Sequence, residues 1–144
     1  MHTVVIATGN SDRGDEAAPR RVLELIGNQP GVELRDVSSL NEGLARDIGS
    51  AREVVFINST PELGEPWVES APPRRGAGFQ AHDARDLVAV ATAVHHFHGR
   101  AYACHVPGLD FSPGSPLTPY AEFRARQAVC LLRRILGSYA NSTD

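Results

Sequence analysis

The sequence predicts an α/β fold: a three-layer α/β/α sandwich around a mostly parallel, twisted sheet of about five strands. Two observations carry this. Short apolar runs rich in valine and isoleucine recur along the chain, and such runs suit strands buried on both faces of a parallel sheet. Segments with helical spacing of apolar residues separate them, so β-α-β-α-β fills residues 3–58, and right-handed crossovers follow.

The first strand is Thr3 to Ala7 (TVVIA), ending at Thr8-Gly9-Asn10. A polar loop leads into a helix from about Asp15 to Ile26. Pro19 falls in its first turn, where a missing N–H does no harm, and Gly27-Asn28 stop it. The second strand is Val32 to Val37, a short helix covers Gly43 to Ile48, and the third strand is Glu53 to Asn58. Pro61 to Ala81 is rich in proline, glycine and arginine. It has room for a short strand near Trp67-Val68 and for a loop at Pro72 to Gly78.

The next helix opens at His82-Asp83, with Asp83 as N-cap and Asp86 three residues on, like a capping box with a shorter acid. Leu87, Val90, Ala91, Val94 and Phe97 recur at helical spacing. Ala101 to Val106 is a further strand, and Pro107 to Pro116 a turn-rich loop. The last helix starts with Thr118 as N-cap and Pro119 at its first position, and runs to Gly137. The expected organisation is therefore one α/β domain over residues 1–137 and a polar tail over 138–144.

Composition narrows the function. The net charge of −3 argues against nucleic acid or an anionic membrane as partner. All 14 basic side chains are arginine, which removes Schiff-base lysine chemistry and the phosphate-binding lysine of a P-loop. Cys104 and Cys130 are too far apart for a redox pair or a thiolate zinc site, and both read as buried small hydrophobes. Neither a signal peptide nor a membrane span is expected, so the location defaults to the cytoplasm.

In an open parallel sheet, ligands bind outside the carboxyl ends of the strands. Glu16 follows strand one, Asn58 closes strand three, and His82 stands at the mouth of a helix on the same rim. Together they would offer oxygen and nitrogen ligands to a divalent metal. The plainer alternatives are that Asp15 and Glu16 only complement a helix dipole, Asn58 caps a turn, and His82 is a surface histidine. His95, His96 and His98 form a second cluster, with His95 and His98 on one helix face; a solvated helix end is the simpler reading. A G-x-S-x-G elbow and a G-x-G-x-x-G fingerprint are both missing. An acidic pair also opens the helix where a pyrophosphate would want positive potential, so no nucleotide is expected.

Val5-Ile6-Ala7-Thr8-Gly9-Asn10, followed by Gly14-Asp15-Glu16, resembles the opening of the hydrogenase maturation endopeptidases. There a strand enters a G-x-G-N turn, and an acidic pair ends in Glu. Arg52 to Ser59 resembles the family's strand ending in Asp-Ala, and Ala81-His82 its histidine segment. Pro107 to Pro119 (PGLDFSPGSPLTP) resembles its late loop. The resemblance implies that such a protein cuts the C-terminal extension from a nickel-iron hydrogenase large-subunit precursor, guided by nickel that the substrate carries.

Carried over by position, the family's metal-binding carboxylate falls on Glu16, its histidine on His82 and its second carboxylate on Asn58. Glu16 and His82 then take the catalytic role as well, and Gly9, Asn10 and Asp15 form the supporting loop. Zinc or cadmium would occupy the same ligands in vitro. The first glycine of the motif is Ala7 here, and the glycine-rich turn after strand two reads Val37-Ser38-Ser39-Leu40. With an amide at Asn58 the ligand charge falls from −2 to −1. Asn58 can coordinate through its oxygen or act from behind a ligand. Two alternatives stay open: a relative on the same fold that binds a partner without cutting it, and a nucleotide- or flavin-binding α/β protein.

Overall fold

The computed structural model describes residues 2–74 and 83–142, with backbone alone for 137–142. Five strands form one sheet: β1 (Thr3–Thr8), β2 (Val32–Val37), β3 (Glu53–Thr60), β4 (Trp67–Ser70) and β5 (Arg100–Pro107). Their spatial order is β2-β1-β3-β5-β4. All neighbours run parallel except β4, which lies antiparallel on β5 at the edge.

Alternation along each strand sends side chains to two opposite layers. Val5, Ala7, Val55, Ile57, Cys104 and Val106 face one side. There α1 (Ala18–Ile26) and α4 (Pro119–Ser142) supply Val22, Leu23, Val129 and Leu132. Val4, Ile6, Val54 and Phe56 face the other, against Leu44 and Leu87 from α2 (Glu42–Asp47) and α3 (Ala84–His95). Burying each such side chain contributes roughly 1.5–3 kcal/mol. The three-layer α/β/α architecture is thus the one the apolar strands require.

Several details differ from expectation. The first helix opens as a 3₁₀ turn over Gly14–Ala17 and becomes α-helical at Ala18, with Pro19 in the first α-helical turn. α4 continues past Gly137 to Ser142, so most of the supposed tail is helix. Cys130 is exposed, because helical spacing turns it away from Ala128, Val129 and Leu132. Val94 is 61 % exposed for the same reason. α3 stops at His95, where His96 takes a left-handed conformation (φ 60°). His98 lies beyond that cap, with Nδ1 2.8 Å from the His96 carbonyl, so His95 and His98 do not share a helix face.

The topology creates one crevice. The chain leaves β1 for β2 on one side and returns to β3 on the other, so their connections diverge at the carboxyl ends of β1 and β3. Parallel sheets bind ligands at such a switch point.

Candidate active site at the carboxyl edge of the sheet

Glu16 reaches this crevice because the loop after β1 folds back tightly. Gly9 has φ 130°, and a Cβ there would lie 2.5 Å from the Glu16 carbonyl oxygen. Only glycine allows that approach. Asn10 accepts the Asp12 N–H on its side-chain oxygen (2.9 Å) and donates its own N–H to Glu16 Oε1 (3.1 Å). Arg13 Nε stands 3.3 Å from Glu16 Oε2. That pair is partly solvated and worth only about 0–1 kcal/mol, so an incoming cation can displace the guanidinium cheaply.

Asp15 serves the scaffold. It is wholly buried. Its carboxylate accepts the N–H groups of Leu109 (2.7 Å), Asp110 (3.1 Å) and Thr118 (2.8 Å), and the Thr118 hydroxyl (2.8 Å). Burial alone would raise its pKa, but these bonds to the ionised form together hold it below the ordinary value. Thr118 Oγ1 in turn accepts the Ala121 N–H (3.1 Å) and caps α4. One carboxylate therefore ties the turn before α1 to the late loop and to the start of α4.

Asn58 lies on the same sheet face as Phe56. Glu16 and Asn58 both line a cleft of about 260 Å³, whose walls also include Thr8, Gly9, Ser38 and Ser39. Ala84, at the start of α3, completes the wall. His82, two residues earlier, lies outside the described residues. Asp83 caps α3 by accepting the Arg85 N–H (2.8 Å) and is also paired with Arg74. Asp86 takes Arg74 Nε at 2.8 Å.

A second cleft of about 410 Å³ lies on the other side of Asn58 and includes Glu69, Asp83 and His105. His105 was not singled out by sequence reasoning. In register it sits opposite Asn58, and its Nδ1 is 2.8 Å from the Asn58 side-chain oxygen, which can accept a proton from the ring. It stacks on Trp67 with ring centroids 4.6 Å apart, and Nε2 is 3.1 Å from Glu69 Oε2. Trp67 Nε1–H donates to the same oxygen at 2.9 Å. The only signal available in sequence was a polar residue near the carboxyl end of an otherwise apolar strand.

A third cleft, about 540 Å³, lies between the β4–β5 edge and the end of α3. Ala71, Val88, Phe97 and Tyr102 line it, no acid lies among its described lining residues, and neither Glu16 nor Asn58 is one of them. Chemistry is better served by the smaller, polar cleft. There a carboxylate, the donor type that hard divalent cations prefer, stands beside an amide whose oxygen is 2.8 Å from His105 Nδ1. Among the described residues no three His, Cys, Asp or Glu side chains are grouped to hold a metal by themselves.

Fold and cleft together define an α/β protein with a polar cleft at the switch point of a five-stranded, mostly parallel sheet. The solved structures it resembles include several hydrogenase maturation proteases. HycI of Thermococcus kodakarensis matches with a TM-score of 0.74 at 18 % identity, covering 94 % of this chain and 92 % of its own. HybD of E. coli, a hydrogenase maturating endopeptidase, matches with a TM-score of 0.78 at 16 % identity, covering 96 % and 94 %. A hydrogenase 2 maturation peptidase from a Thaumarchaeota archaeon gives 0.68 at 19 % identity, covering 95 % and 99 %. The chain shares the fold of these proteases over nearly its whole length. No family model matches the sequence, and no curated protein matches it.

Proposed function

We propose that this protein is an endopeptidase that removes the C-terminal extension of a nickel-loaded nickel-iron hydrogenase large subunit. The observation that carries the reading is the meeting of Glu16 and Asn58 in one polar cleft at the switch point of this fold. Glu16 supplies a carboxylate oxygen and Asn58 an amide oxygen to nickel that arrives with the substrate; His82 supplies the imidazole. The weak donor pair suits an ion that already has ligands on the substrate, because the cleft must engage the metal without stripping it from the precursor. Bound metal would thereby hold the adjoining peptide in the cleft, which is the positioning part of catalysis. The reading places the protein in the cytoplasm with its substrate. No helix among the described residues is long and apolar enough to cross a membrane.

Asn58 favours a second reading. Its amide is neutral and is already engaged by His105, so the chain could retain partner binding without cleavage. Incubation with a nickel-loaded large-subunit precursor separates the two. Cleavage by the wild type, with loss in Glu16→Ala and His82→Ala, supports the peptidase. Binding without cleavage establishes the partner-binding relative. A flavin or nucleotide retained through purification would overturn both.

A further inference from the structure

We infer that the cleft of about 410 Å³ at the β4 edge is a specificity subsite for a peptide, and that Glu69 selects a basic side chain there. Its place beside a cleavage site rests on the function proposed above; the preference for a basic group does not.

The subsite adjoins the Glu16 cleft. Both clefts have Asn58 and Ala84 in their walls, so they meet between the end of β3 and the start of α3. A peptide engaged at Glu16, just past β1, therefore has a continuation across the sheet, over β3 and β5 to β4. Three strand spacings separate β1 from β4. At about 4.8 Å each they make about 14 Å, which about four residues of extended chain span. Ser70, Ala71, Ala84 and Ala103 are small, so the far cleft has room for a long side chain.

The charges in this cleft are not equally engaged. Asp83 accepts the Arg85 N–H and is paired with Arg74. The Arg85 Nε–H donates to the Pro72 carbonyl at 2.9 Å. Glu69 differs: no arginine among the described residues is paired with it, and its side chain is 58 % exposed. Its Oε2 accepts the Trp67 Nε1–H at 2.9 Å and lies 3.1 Å from His105 Nε2. Its Oε1 has no hydrogen-bond partner among the described residues. Trp67 is itself held by stacking on the His105 ring, with centroids 4.6 Å apart. One carboxylate oxygen is thus fixed and the other is open. A group oriented before its ligand arrives loses little side-chain entropy on binding. The complement of that open oxygen is a guanidinium or an ammonium. An acid on an edge strand has a plainer use, since charge there opposes pairing with another chain. That use does not need a carboxylate fixed by an indole at the mouth of a cleft.

Trp67 is the only tryptophan in the chain, and it touches Glu69, so its fluorescence reports on the subsite. The full-length protein is titrated at low salt with two blocked alanine peptides. One carries a single arginine, and the other carries citrulline, its neutral isostere, at the same place. The arginine peptide should bind about fivefold more tightly, as one partly exposed ion pair gives, and the difference should vanish in Glu69→Gln. Glu69→Arg, a reversal at an exposed position, should instead favour a peptide carrying glutamate. Equal affinity for the arginine and citrulline peptides, or no binding of either, overturns the inference and leaves Glu69 as a guard of the edge strand. An arginine preference that survives Glu69→Gln overturns it as well. Incubation of the wild type with a nickel-loaded large-subunit precursor separates the two readings. Arginine selection without cleavage upholds the subsite and counts against the peptidase. Cleavage without arginine selection upholds the peptidase and refutes the subsite.

Discussion

Replacing Asp15 by asparagine changes one atom of a buried carboxylate and reverses its role toward one donor. The carboxylate accepts four hydrogen bonds, from Leu109 N–H, Asp110 N–H, Thr118 N–H and the Thr118 hydroxyl. Three converge on Oδ2, and the Thr118 N–H stands alone on Oδ1. An asparagine that keeps its oxygen at the Oδ2 position sets its NH₂ against the Thr118 N–H. A bond to a charged group is then lost, about 1.5–3 kcal/mol, and the remaining bonds weaken as the charge goes. About 2–3 kcal/mol is expected in all, or about 5–10 °C in the unfolding midpoint of a domain this size. The pH dependence fixes the cause. The folded pKa of Asp15 lies below its unfolded value. Its stabilisation is therefore full above the unfolded pKa near 3.9 and is lost as pH falls through the folded pKa. Urea unfolding of wild type and Asp15→Asn from pH 7 to pH 2 should show a constant gap down to about pH 4, closing below it. A variant as stable as wild type at pH 7, or a gap that does not change in acid, refutes the reasoning.

Glu53 should behave oppositely. Burial pushes its carboxyl above the ordinary value, against the pull of Arg100, a hydrogen bond from Thr3 and Arg52. Its contribution is full below the unfolded pKa near 4.3 and lost as pH rises through the raised folded pKa, so Glu53→Gln should match or exceed wild-type stability at pH 7. A clear loss of stability there contradicts this. Asn58→Asp returns a negative charge to the Glu16 cleft and should tighten Zn²⁺ binding about tenfold, about 1.4 kcal/mol, by calorimetry; unchanged or weaker binding speaks against a cation site. Gly9→Ala places a Cβ 2.5 Å from the Glu16 carbonyl at φ 130°, and should cost about 1–3 kcal/mol in denaturant titration. Burial pushes the Cys104 thiol up to about 12, while Cys130 is exposed. Native protein should therefore react with one equivalent of a thiol reagent, and the second only on unfolding; two fast thiols would show that the sheet core opens.

The parallel strands were legible because β1, β3 and the core of β5 are apolar on both faces, and that pattern has few other homes. Helix ends were less legible. Val94 and Cys130 looked like core from their apolar neighbours, yet helical rotation sets both outside. The left-handed His96 cap, which separates His95 from His98, has no marker in a run of histidines. Asp15 and Glu16 are adjacent and chemically alike, and only the family resemblance, not composition or spacing, separates their work by giving Glu16 the ligand role and Asp15 the supporting loop. The fold divides it: Asp15 turns inward to donors from residues 109–118, and Glu16 faces the cleft.

Local order in the chain therefore determined the layers, the strand polarity and the rim on which Glu16 and Asn58 stand. Periodicity and the divergence of crossover connections act within a few tens of residues, and sequence records them. Tertiary structure alone decided that His105 lies beside Asn58 across the β3–β5 register, that Glu69 of the antiparallel edge strand reaches the same ring, and that the late loop hangs on Asp15. Each of these is a contact between segments far apart in the chain. It depends on strand register and on the direction of buried side chains, which packing of the whole domain sets and no local pattern encodes.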